Sequence, residues 1–367
     1  MTGAIDQDVL ERVQRRLAEE PETPEPARLA AIVREEAVVI SDLDVLGILR
    51  TLRDHTAGTG PLEAVLASAD VTDVCVNGPD AVYVDRGRGL ERSDVTFSSE
   101  AEVRRLAARL ATSCGRRLDD AHPYCDGHIL RPDGHILRFH ALLAPTAHVG
   151  TCISLRVLRG NTTTLTQLET DGSIAVECGK LLRRIIRERA SFLVIGGTGA
   201  GKTTLLSAML AEVSHHERII AIEDTVELAP AHPHVVNLTT RGNNAEGVGE
   251  ISIANLVRQA LRMRPDRIVI GEIRGGEVVD LLAALNTGHD GGAGTLHANS
   301  VYEVPARMEA LAALGGMDRA GLHSQLAAAV DYVIVVKRLA DGSRRVHQIA
   351  ALEGNPVRVR LTWEDEP

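Results

Sequence analysis

The stretch "FLVIGGTGAGKTTLLSAML", residues 192–210, constrains the fold more than any other part of this 367-residue chain. An apolar run of strand length leads into Gly196, and Gly201, Lys202 and Thr203 complete the spacing GxxxxGK(S/T). A helical pattern follows. The glycines let backbone N–H groups curl around phosphate oxygens at a helix N-terminus, whose dipole favours anions. Lys202 is placed to reach the β- and γ-phosphates, and the Thr203 hydroxyl to ligate magnesium. Gly197, Thr198, Gly199, Ala200, Gly201, Lys202, Thr203 and Thr204 are therefore the candidate ATP-binding set, with Mg2+ as the accompanying ion. A turn that bound nothing would have no use for Lys and Thr at these places.

From residue 175 onward apolar strands alternate with helical patterns: "FLVIG", "RIIAIE", "RIVIGE" and "GGAGTL" are strands, and "SIANLVRQALRM" and "GEVVDLLAAL" are helices. That alternation predicts an α/β domain with a largely parallel sheet over 175–367. Near the end, "DYVIVVKRLADGSRRVHQIAAL" reads as a hairpin turning at Asp341-Gly342, at a sheet edge. Residues 59–159 have a different texture. Short β-rich runs are cut by "NGPD" and "RGRG", and "SEAEVRRLAARLATSCG" reads as one helix. "DGHILRPDGHILRFHALLAP" predicts a hairpin turning at Pro132-Asp133-Gly134, and "CISLRVLR" a further strand. This predicts a smaller α+β domain. The polar, Thr-rich residues 160–174 predict a hinge between the domains. Residues 1–58 predict an acidic helical segment, with Val45, Leu49 and Leu52 on one helical face.

Acids follow two of the predicted strands. "RIIAIEDTVEL" ends in Glu223, Asp224 and Glu227, and "RIVIGEIRGGE" carries Glu272. In a parallel sheet the strand C-termini line the ligand crevice. A carboxylate there can position the attacking water for phosphoryl transfer, which is the expectation for Glu272. Gly271 stands where a magnesium-holding Asp is usual, so the ion would rest on Thr203 and phosphate oxygens. Its waters would be held by Glu223 or Glu227. His297 closes the strand "AGTL" and is open to two readings, a γ-phosphate contact or a residue that fixes its own loop. Arg264, Arg267 and Arg274 surround the Glu272 strand with no role decided by the residues alone.

Composition narrows the partners. Net charge is −10, and aromatics are only 2%, which argues against a polyanion-binding or base-stacking surface. Five cysteines without CxxC spacing fit a reducing compartment. The N-terminus is acidic where a signal peptide is basic and then apolar, and no apolar run approaches the ~18 residues that span a bilayer. A cytoplasmic protein without direct membrane insertion is expected. Five histidines and Cys125 crowd residues 122–148, but no CxxC or HxxxH spacing makes a zinc site of them.

In this order, the P-loop, the acidic box after the next strand, the "GE" strand and "TGHDGGAGTLHANS" resemble the secretion ATPases of type II and type IV systems. "VNGPDAVYV", "GRRLDD" and "LVRQALRMRPDRIVIGEIRGGE" are similar to the tight-adherence pilus branch (CpaF/TadA-like). The resemblance covers roughly residues 36 to 355. It implies a RecA-like P-loop ATPase domain preceded by a PAS-like α+β domain, assembled as a homo-hexamer, with ATP between the two domains. It further implies Glu272 as the catalytic glutamate, Glu227 as the acidic-box residue that joins Thr203 at the Mg2+ ion, partly through water, and His297 near the γ-phosphate. Arg117, Arg138 and Arg156 of the smaller domain would act on the nucleotide. The implied role is a motor, peripheral to the inner face of the cell membrane, that moves integral inner-membrane platform proteins of a pilus or secretion system. The alternative is a RecA-like ATPase of conjugal DNA transfer, against which charge and aromatic poverty count. The chain departs from the branch pattern at "RFHALLAP", where relatives commonly read "RVNAIIPP", so that His140 replaces an Asn.

Overall fold

In the first of two compact units, Met1–Leu158, alternating side chains build a six-stranded antiparallel sheet. A computed structural model describes residues 12–13, 16, 26–36, 45, 58–158, 163–242, 248–339 and 341–365. The strands are β1 (Asp73–Asn77), β2 (Val82–Asp85), β3 (Leu90–Arg92), β4 (Tyr124–Leu130), β5 (Ile136–Leu142) and β6 (Cys152–Leu158), in the order β3-β2-β1-β6-β5-β4. One face is apolar. Val74, Val76, Leu137, Phe139, Ile153 and Leu155 pack with Val103, Leu106 and Leu110 of the helix Glu100–Ser113. Ser99 caps that helix by accepting from the Glu102 N–H. The β4–β5 hairpin turns where expected, with the Gly134 N–H donating to the Arg131 carbonyl and Asp133 accepting from the His135 N–H. The two "DGHILR" copies are not equivalent. The first is strand β4, whereas Asp133 and Gly134 of the second are the turn.

Little of the expected N-terminal helical segment lies within the described residues. Pro26–Glu36 is a helix with Ile32 and Val33 buried, and Val45 is helical and buried. Leu49 and Leu52 lie outside the described residues.

The second unit, Arg159–Pro367, is built on an eight-stranded sheet. Its strands are β7 (Phe192–Ile195), β8 (Ile219–Glu223), β9 (Val235–Thr239), β10 (Arg267–Ile273), β11 (Ala293–Leu296), β12 (Tyr332–Arg338), β13 (Arg344–Glu353) and β14 (Arg358–Glu364). Their order is β14-β13-β12-β7-β11-β10-β8-β9, parallel from β12 to β9 and antiparallel across β12-β13-β14. Both faces are covered, as parallel sheets require. On one face Leu193 and Ile195 join Leu281, Met308 and Leu326, from the helices Val278–Leu285, Val304–Leu314 and Arg319–Ala329. On the other, Phe192 and Val194 join Leu182 and Leu206, from Val176–Arg187 and Lys202–Leu210.

Two readings are amended. The hairpin at Asp341-Gly342 is not the sheet edge, because β14 pairs outside β13. Residues 165–170, within the stretch expected as a hinge, form a helix capped by Thr164. Leu165 and Ile174 of this stretch are buried in the core of the second unit, and Glu169 is ion-paired to Arg183 at 2.6 Å. Spaced apolar anchors outweigh the polar composition between them.

Candidate functional site

The β7–helix junction places the glycine-rich turn at the C-terminal end of the parallel strands. Gly201 has φ +97°, a conformation that favours glycine, and starts the helix Lys202–Leu210 with no side-chain cap. The first N–H groups of that helix are thereby left for an anion. Gly197, Thr198 and Gly199 are exposed at the tip, while Thr203 and Thr204 are half-buried in the first turn. Arg344, from β13, donates through Nε to the Gly199 carbonyl at 3.0 Å and braces the turn from outside. A 270 Å³ hollow beside the turn is lined by Ser173, Ala200, Gly201, Thr204, Arg344 and Arg345.

Lys202 is buried, and its Nζ donates to the carbonyls of Gly196 at 3.0 Å and Gly197 at 3.1 Å. Burial pushes its amine below the ordinary lysine range, against the opposing pull of the Glu272 charge. Nζ also faces Nδ1 of His297 at 3.5 Å, and Nε2 of His297 lies 2.8 Å from Oε1 of Glu272. An ammonium only donates, so Nδ1 is the acceptor and the ring proton sits on Nε2, donated to Glu272. Burial, with the Lys202 charge behind it, lowers the His297 pKa and favours this neutral form. The structure thus gives His297 neighbours on both sides of the site, Lys202 and Glu272, rather than its own loop alone. His289, by contrast, accounts for itself locally, with Nδ1 3.2 Å from the Ala284 carbonyl.

Glu272 sits on an irregularity of β10, where the pairing with β11 shifts between Ile270 and Ile273. Burial alone would raise its carboxyl. The Arg274 hydrogen bond and charge, helped by His297 and Lys202, outweigh that and hold it below the usual carboxylate range. Arg274 also reaches Asp224 at 3.4 Å.

Gly271 owes its place to its neighbour. A Cβ there would lie 2.6 Å from Cγ of Glu223, so the position that usually carries an Asp is filled instead by a side chain from β8. Glu223 is buried and accepts from the N–H groups of Glu227 and Leu228 and from Asn237. Burial pushes its carboxyl up to about 7 despite these donors. Glu223 therefore ties down the loop that carries Glu227. Glu227 is half-buried, and its charge acts on both Lys202 and Arg274. The donor set of Lys202, Thr203 and a half-buried carboxylate fits a nucleotide phosphate with Mg2+. Among the described residues, no cluster of three or more His, Cys, Asp or Glu side chains is placed to hold a metal ion by itself.

The other arginines of the Glu272 strand separate cleanly. Arg267, 1% exposed at the opposite end of β10, donates to Glu217 at 2.9 Å and to the carbonyls of Ile186 and Gly291. It braces the fold. Arg264 lies before β10 with φ +54°. Sequence reasoning missed Arg344, which no local pattern marks. It left Arg274 undecided, although period-2 spacing from Glu272 was a usable signal.

Arg117, Arg138 and Arg156 belong to the first unit. Arg138 and Arg156 are cross-strand partners on the sheet face opposite Leu137 and Phe139. With Asp73, Asp126, His140 and Ser154 they line a hollow of 270 Å³. Arg156 donates to Asp73 at 2.8 Å, and His140 meets Asp126 at 3.0 Å. Arg117 is not in that group and is ion-paired with Asp119 after the helix Glu100–Ser113.

Residues 55–360 match the family described as Type II/IV secretion system protein. The chain belongs to this family. It is 56% identical over 324 residues to a putative conjugal transfer protein of Mycobacterium tuberculosis, covering 88% of this chain and 92% of that protein. It is 30% identical to the conjugal transfer protein TrbB of Rhizobium radiobacter, over 84% of this chain and 91% of that one. The fold is that of the Legionella pneumophila ATPase DotB, with a TM-score of 0.59 at 19% identity, over 85% of this chain and 82% of the other. No helix among the described residues is long and apolar enough to cross a membrane.

Proposed function

We propose that this member of the type II/IV secretion family is an ATP-hydrolysing motor, a homo-hexamer that couples ATP turnover to movement of an inner-membrane platform. The observation that carries the proposal is the convergence of Lys202, His297 and Glu272 at the glycine-rich turn. In this reading the turn and Lys202 bind the β- and γ-phosphates, and Glu272 positions the attacking water. Thr203 and Glu227 hold the magnesium ion, partly through water. That ion offsets phosphate charge when ATP is bound. His297, donating from Nε2, keeps Glu272 aimed and reports on Lys202. Arg138, Arg156 and Arg117 are proposed to supply further cations to the transferring group, Arg156 and Arg117 by exchanging the carboxylates of Asp73 and Asp119 for phosphate. Purified chain should hydrolyse ATP only with Mg2+, and Lys202→Ala should abolish nucleotide binding in calorimetry. ATP affinity unchanged by that substitution would overturn the reading.

The Tad-type pilus assignment and a cytoplasmic position at the inner membrane face belong to the same proposal, supported by the branch-like motifs. A second reading, conjugal DNA transfer, is favoured by the names of the two sequence relatives. The net charge of −10 and 2% aromatics favour a protein substrate instead. ATPase activity stimulated by DNA and falling steeply with salt would reverse that preference.

A further inference from the structure

We propose that Arg274 is a positioning residue for hydrolysis, fixing the Glu272 carboxylate through an ion pair that Asp224 steadies from the neighbouring loop. The inference rests on the ATPase reading above. Glu272 lies on an irregular part of β10, next to a glycine, so the regular ladder does not aim its side chain. Two side chains do so instead. His297 binds Oε1 at 2.8 Å, and Nη2 of Arg274 binds Oε2.

Arg274 is itself held at three points. Its main-chain N–H donates to Glu277 at 2.7 Å, so its backbone stays in place whatever its side chain does. Its Nη2 takes Glu272, and its Nη1 reaches Oδ2 of Asp224 at 3.4 Å. Oδ1 of Asp224 in turn accepts from the Thr240 hydroxyl at 3.2 Å. The guanidinium is a planar fork between two carboxylates, one in the site and one outside it. The charged and titratable groups that bear on Glu272 are Arg274, His297 and Lys202. Those that bear on Arg274 are Glu272, Asp224 and Glu227, with Lys202 and His297 also within reach of its charge. Arg274 is half-exposed, so replacing it leaves the core untouched.

The ion pair stabilises the ionised carboxylate and one of its rotamers. Loss of Arg274 should therefore weaken the hydrolytic step more than ATP binding, and should raise the pH at which Glu272 becomes active. The test is steady-state ATP hydrolysis by the full chain with Mg2+ between pH 3.5 and 9, for wild type, Arg274→Gln, Arg274→Lys and Asp224→Asn. Arg274→Gln is expected to lower kcat about tenfold or more, with KM within about threefold, and to move the acid limb of the profile to higher pH. Arg274→Lys keeps the charge without the fork and should restore the acid limb in part. Asp224→Asn should lower kcat by less than Arg274→Gln does. The ionisation of ATP is common to all four proteins, so differences between profiles belong to the protein. An Arg274→Gln profile that superimposes on wild type, or a loss confined to KM, overturns the inference alone. Should Arg274→Gln fail to fold, an Arg274→Lys acid limb unmoved from wild type with kcat intact in Asp224→Asn does the same. A wild-type chain that does not hydrolyse ATP overturns the ATPase reading and this inference with it.

Discussion

Nε2 of His297 lies 2.8 Å from Oε1 of Glu272, while the other ring nitrogen faces Nζ of Lys202 at 3.5 Å. One imidazole thus joins the Lys202 ammonium to the Glu272 carboxylate. His297→Ala removes the donor to Glu272 and the acceptor of Lys202 together. Turnover should fall about tenfold or more, with ATP binding retained. Steady-state kinetics alongside calorimetry would separate the two effects. A loss of affinity with unchanged kcat would place His297 in nucleotide binding only.

The space at Gly271 is occupied by Glu223. Gly271→Ala must move Cγ of Glu223 from a 2.6 Å approach and disturb the donors from Glu227 and Leu228. A cost of about 1–3 kcal/mol is expected from overpacking. Restoring the usual acid with Gly271→Asp should cost more, because it sets a second carboxyl beside a buried one. Denaturant midpoints of the two variants would rank them.

Glu223 also predicts a pH dependence. Its carboxyl is pushed up by burial to about 7 in the folded chain, from an ordinary value of 4.5. Between these values the folded state binds more protons than the unfolded state, so this group makes stability fall as pH rises from about 4.5 to 7, and level off above. Glu223→Gln should flatten that segment of the stability–pH curve. An identical slope in the variant would show that the proton is held elsewhere.

Arg267 is buried with Glu217 and two backbone carbonyls as partners. Arg267→Ala strands them and should cost about 3–5 kcal/mol, whereas Arg267→Met, which fills the volume, should cost less. Urea unfolding of both variants checks the order. Each should bind ATP when folded, since Arg267 sits at the opposite end of β10 from Glu272.

How much of this was legible in the sequence follows from where each residue's constraint originates. The β7–turn–helix unit, the strands β8, β10 and β11, and the β4–β5 hairpin carry their own apolar periodicity and turn residues. Strands β9 and β14 do not. They are the two edges of the sheet, half-exposed, so nothing forces an apolar pattern on them. Lys202, Glu272 and His297 were readable because motif and strand-end position mark them. Arg344 was not, because it reaches the glycine-rich turn from a hairpin far along the chain. Glu223 was read as one of several crevice acids. Only packing distinguishes it as the side chain that replaces a Cβ at Gly271.

Glu272→Gln separates nucleotide binding from hydrolysis. The amide keeps the size of the side chain and, with one oxygen, can still accept from either Arg274 or His297, but it cannot take a proton from water. The account predicts ATP affinity within about threefold of wild type, with turnover in Mg2+ reduced about 100-fold or more. Turnover close to wild type would contradict the role of Glu272, and with it the site assembled around Lys202 and His297.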